Sequence, residues 1–100
     1  MKDIMLIMSD QHGGAYTGME DDRVRTPALM RIAGEGLYFE RCYYNAPLCV
    51  PSRMSFLSGK LPSDLNIFNN DTVLPADVPT IAHALGAAGY HTVLIGRMHF

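Results

Sequence analysis

Cysteine is scarce in this chain. Its two copies, Cys42 and Cys49, are too few for a disulfide framework and pair only if the fold brings them together, so a reducing compartment and a cytoplasmic location are expected. Long hydrophobic runs are missing as well. No stretch approaches the roughly 20 apolar residues that a membrane span needs, and the opening Met1-Lys2-Asp3-Ile4-Met5-Leu6-Ile7-Met8 is cut off by Ser9-Asp10, short of a secretory leader. A surplus of positive charge is also lacking. Eight Lys and Arg residues are scattered, the net charge is −2 and the pI is near 6.0, so the basic stripe of a nucleic-acid-binding protein is not there. Neither membrane nor nucleic acid is an expected partner. Common catalytic signatures are absent too: no GxGxxG, no GxxxxGK[ST], no HExxH and no GxSxG. A tyrosine-phosphatase-like cysteine loop fails because Ser55 stands where that loop needs arginine.

What is there has the profile of a globular domain. Apolar residues make up 48% and charged residues 18% of 100 residues, enough for one small domain. Ile4-Met5-Leu6-Ile7-Met8 is a short apolar run between polar residues, the pattern of a buried parallel strand that delivers Asp10 to its end. The glycine-rich stretch from Gln11 to Gly18 and the charged Glu20-Asp21-Asp22-Arg23 predict a loop able to approach a ligand. Thr26-Pro27 opens a helix carrying Leu29, Ile32 and Ala33 until Gly34 and Gly36. Leu37 to Tyr44 is aromatic-rich and predicts a strand, and Asn45 to Leu48 a turn.

A helix beginning at Pro51 carries Met54, Phe56 and Leu57 to Gly59, which leaves Cys49 at a helix N-terminus. Leu61 to Val78 is dense in turn formers and predicts a structured surface loop. Pro79-Thr80 starts a helix through Ile81, Ala82, Leu85 and Ala88, and Tyr90 to Ile95 a second buried strand. Alternating strands and helices predict an α/β fold. The abrupt finish after that strand suggests a truncated chain. His83, His91 and His99 recur at a spacing that fits ligation from neither a helix nor a strand; His12, His83 and His91 read as structural and Cys42 as core.

Cys49-Val50-Pro51-Ser52-Arg53 places a nucleophilic side chain at the positive end of a helix dipole, with backbone N–H groups and a guanidinium close by, which suits an anionic tetrahedral group. An ordinary helix start with a small buried cysteine and a surface arginine explains the same five residues about equally well. Further residues tip the balance. The pattern CxPSRxxxLxG is met by Cys49, Pro51, Ser52, Arg53, Leu57 and Gly59, and in this it resembles the sulfatases. Asp10 after the first strand, Thr26-Pro27-Ala28-Leu29, Glu35-Gly36-Leu37-Tyr38-Phe39 and Asn45-Ala46-Pro47 are similar to that family as well.

Gly89 to His99 resembles the family's second signature, GYxTxxxGKWH, with Arg97 in place of lysine and Met98 in place of tryptophan. Arginine's planar fork grips an oxyanion differently from an ammonium. Met98-His99-Phe100, Ser9-Asp10-Gln11 and the stretch from Asn69 to Thr80 look most like the choline-sulfatase branch.

The resemblance implies an alkaline-phosphatase-like α/β fold, of which residues 1–100 form the N-terminal part: a mixed, mainly parallel sheet flanked by helices. It implies that a formylglycine-generating or anaerobic sulfatase-maturing enzyme oxidises Cys49 to formylglycine, whose hydrated aldehyde supplies the attacking hydroxyl. A divalent cation, generally calcium, is then expected on Asp10 and on the modified Cys49, with Gln11 a weaker ligand because its amide oxygen is neutral. Arg53 would hold the formylglycine hydroxyls, Arg97 a sulfate oxygen, and His99 would assist deprotonation as sulfate leaves. The expected substrate is a small-molecule or carbohydrate sulfate ester. Two alternatives stay open: a phosphate or phosphonate ester hydrolase of the same superfamily, and a noncatalytic metal-binding or thiol module in which Cys49 stays a thiol.

Overall fold

A computed structural model describes residues 2–97, which fall into two compact units that meet between Cys42 and Tyr43 in the sequence. Among the described residues there are four helices: α1 (Pro27–Glu35), α2 (Cys49–Ser58), α3 (Pro62–Leu65) and α4 (Ile81–Ala87). None is long and apolar enough to cross a membrane.

The first unit is stitched by hydrogen bonds. After Asp10, Gln11 adopts a left-handed backbone (φ 50°), and the glycine-rich stretch then turns. The Tyr16 N–H donates to the Gly13 carbonyl at 2.9 Å, the Thr17 hydroxyl to the Gly14 carbonyl at 3.1 Å, and the His12 ring nitrogen Nε2 lies 2.7 Å from the Tyr16 carbonyl. Pro27 occupies the first turn of α1 as expected, but Thr26 makes no side-chain cap; its hydroxyl oxygen accepts the Gly18 N–H at 2.8 Å, tying the loop to the helix start. A Cβ on Gly18 would lie 2.9 Å from the Val24 carbonyl oxygen and 2.7 Å from Met30 Sδ, so this approach requires glycine. Asp21 takes a two-pronged bond from Arg23, which holds its carboxyl below the usual range. The Tyr38 hydroxyl donates to Glu20, raising the phenol's pKa. No described residue of this unit is buried, and the apolar side chains Leu29 and Ile32 of α1 are exposed.

The second unit has a core. Val50 and Met54 of α2 are buried with Leu65 and Ile67, and Leu74 and Val78 pack against them. Helix α2 opens at Cys49, two residues before the expected start, because Pro51 is tolerated anywhere in a first turn that needs no N–H from it. It ends where Gly59 turns left-handed (φ 69°) and donates its N–H to the Ser55 carbonyl at 2.9 Å. The segment expected as a surface loop forms α3 and sends Leu65 and Ile67 inward. Both α3 and α4 lie against α2. At the start of α4 the Thr80 N–H donates to His83 Nδ1 at 3.1 Å, the role a Glu or Gln plays in a capping box.

The expected sheet is not formed among the described residues. Ile4 to Met8, Leu37 to Tyr44 and the described part of the chain after Tyr90 have the apolar and aromatic composition of strands yet run without a ladder, with Met5 84% and Ile95 88% exposed. A strand is stabilised by a neighbour that takes its N–H and C=O groups, and none of these segments supplies one to another here.

Candidate functional site around the start of α2

Cys49 is the first residue of α2 and is partly buried; Arg53 sits one turn further on and is also partly buried. Their helix is held to the core by the inward residues Val50, Pro51 and Met54, which gives residue 49 a fixed platform. The N–H groups expected to face an anion are fewer than the motif suggested. Pro51 has none, the Ser52 N–H returns to the Leu48 carbonyl at 3.0 Å, and the Val50 N–H donates to Asn70 Oδ1 at 3.0 Å. The positive dipole end and the Arg53 guanidinium therefore carry more of the local electrostatics than free amides do.

Arg53 Nη1 donates to the Arg97 carbonyl oxygen at 2.5 Å. This contact joins the two motifs singled out in the sequence across 44 residues of chain. The Arg97 side chain is exposed. Met98, His99 and Phe100 lie outside the described residues, so the role expected of His99 has no structural counterpart here. Asp10 and Gln11 belong to the first unit, on an exposed turn. Asp10 offers a carboxylate and Gln11 an amide oxygen, hard donors of the kind Ca²⁺ prefers. Among the described residues no three of His, Cys, Asp or Glu gather into a group that could hold a metal ion. This stretch thus fits a divalent cation as a contributor of donors rather than as a complete cage. Cys42 is exposed rather than part of a core, and no disulfide links it to Cys49.

Two residues near the site were assigned no role there from the sequence. Asn70 takes the Val50 N–H, and Asn45 donates its Nδ2 to the buried Ser55 hydroxyl at 2.8 Å, bracing the turn that leads into Cys49. One signal for the first was available: Leu48, the N-cap residue of α2, has no side-chain acceptor, so a cap had to come from elsewhere.

Comparison with known proteins fixes the family. A family model described as Sulfatase matches residues 2–100. The chain belongs to the sulfatase family. Similar sulfatases include a choline-sulfatase of Rhizobium meliloti, 39% identical over 97% of this chain and 19% of the relative. An ulvan-active sulfatase of Formosa agariphila is 37% identical over 96% of the chain and 19% of the relative, and bovine arylsulfatase A is 34% identical over 96% and 20%. The chain thus spans about a fifth of the length of these sulfatases. No solved structure matches it. Membership in the sulfatase family carries the alkaline-phosphatase-like α/β fold with it.

Proposed function

We propose that this chain is the N-terminal, active-site portion of an enzyme that hydrolyses sulfate esters and releases inorganic sulfate. The observation that carries the reading is the Arg53 to Arg97 contact, which sets the second sulfatase motif beside the helix that begins at Cys49. In the proposal Cys49 is converted to formylglycine, whose hydrated form supplies the hydroxyl that attacks sulfur. Arg53, one turn along a well-packed helix, orients that hydroxyl. The exposed Arg97 guanidinium binds a sulfate oxygen, and His99 takes a proton as sulfate departs. Asp10, with Gln11 as a weaker donor, would contribute to holding a divalent cation of the Ca²⁺ class; when bound, such an ion neutralises charge on the sulfuryl oxygens. Choline sulfate and carbohydrate sulfates are the substrate classes to screen, since relatives include a choline-sulfatase and an N-acetylglucosamine-6-O-sulfatase. The expected strands belong to a sheet completed in the full-length fold.

The test is peptide mass spectrometry across Cys49 in the full-length protein produced with a sulfatase-maturing enzyme, followed by assay of sulfate and phosphate esters. Conversion of the thiol to an aldehyde, with sulfate release that Cys49→Ala abolishes, is the expected result. A persistent thiol, or turnover confined to phosphate esters, would sink the proposal.

A further inference from the structure

Helix α2 begins without a local cap. Its N-cap residue is Leu48, which has no oxygen on its side chain, so the Val50 N–H at the second helical position has no partner within the helix or next to it. Val50 is 2% exposed, which keeps water from taking that role. The acceptor arrives from 20 residues downstream, as Asn70 Oδ1 at 3.0 Å. The loop that brings it is itself ordered: Asn69 Oδ1 accepts the Asp71 N–H at 3.1 Å and the Thr72 hydroxyl at 2.7 Å, a side-chain turn that spans Asn70.

We propose that Asn70 is a positioning residue, which fixes the backbone of residue 49 by capping its neighbour and so sets the direction in which the nucleophile points. The cap acts one peptide unit from Cys49, on a helix whose other side is anchored in the core, so a shift in this bond moves residue 49 before it moves the helix. Its consequence for turnover rests on the sulfate-ester reading above; its consequence for the backbone does not.

The experiment compares wild type, Asn70→Ala and Asn70→Asp in the full-length protein, with and without maturation. Aspartate keeps an acceptor oxygen and caps a helix as well as asparagine does. Amide exchange in the peptide containing residues 49–58 is expected to quicken about fivefold in the alanine variant and to return in the aspartate variant. In unmatured protein, iodoacetamide labelling of Cys49 is expected to change at least about threefold in Asn70→Ala. In matured protein kcat is expected to fall about tenfold, with KM changed by less than about twofold. Unchanged exchange or unchanged labelling in Asn70→Ala overturns the proposal. So does faster exchange with kcat intact, and so does a rise in KM with exchange unaltered, which would put Asn70 on the substrate. A matured wild type that releases no sulfate defeats the functional reading instead, and exchange and labelling still decide the cap.

Discussion

The two units of this chain cohere by different means. Residues 1–42 are held by turns, by the Thr26 bond to Gly18 and by the Asp21 to Arg23 pair, with no described side chain buried. In residues 43–100 a small core of Val50, Met54, Leu65 and Ile67 surrounds one face of α2. Hydrogen bonds exposed to water each add little net stability, whereas burial of a large aliphatic side chain is worth about 1.5–3 kcal/mol. The difference bears on the site. The candidate nucleophile and Arg53 ride on the best-packed helix of the chain, and Asp10 and Gln11 on a turn whose shape depends on backbone geometry.

The largest contrast between the units should appear on truncating their apolar side chains. Met54→Ala, at a fully buried position, is expected to cost the full-length protein about 2–5 kcal/mol in urea unfolding. Ile32→Ala, at a position 61% exposed within its unit, should cost clearly less. Equal losses would mean that α1 is covered in the full-length protein as tightly as α2 is here.

A smaller effect sharpens the comparison from the other side. Gly18→Ala is expected to destabilise by about 1–3 kcal/mol, since a Cβ there meets the Val24 backbone, which cannot swing aside as the Met30 side chain can. A neutral result in the same unfolding assay would show that the loop before α1 has slack that the structure does not display. The smallest effect concerns Asp21. Its pKa is lowered by the Arg23 bond, so its contribution is present above the ordinary carboxylate range and is lost as pH falls through the lowered value. Arg23→Gln should return the Asp21 titration, read by carbon NMR, toward the ordinary carboxylate value, with little change in stability at neutral pH because the pair is exposed.

Much of the helical framework was legible because its signals are local. Pro27 in a first turn, Gly59 in a left-handed C-cap and Thr80 before α4 each act within a few residues of where they stand. His83 and His12 make local contacts, one at a cap and one against a turn carbonyl. Thr26 is the N-cap residue of α1 as the sequence implied, but its hydroxyl serves a contact eight residues away, the bond from Gly18, rather than the helix's own N–H groups. Cys49 and Arg53 stood out through the resemblance of their motif to the sulfatases, but their surroundings were not legible. Asn70 and Asn45 reach the helix from outside its own sequence window, and Leu48 hinted only that some cap was missing.

By itself, then, the order of residues determined the family, the bounds of α1 and α4, the stop of α2, and the placement of Cys49 at a helix N-terminus; each follows from short-range chemistry or from a fixed motif spacing. Tertiary structure decided what lies between the motifs: that Leu65 and Ile67 turn inward, that Asn70 caps α2, and that Arg53 meets the carbonyl of Arg97. The apolar runs Ile4 to Met8 and Tyr90 to Ile95 belong to the same category. Their composition makes them fit for strands, but a ladder exists only when a second backbone is brought alongside, and that is a property of the assembled fold rather than of any one segment.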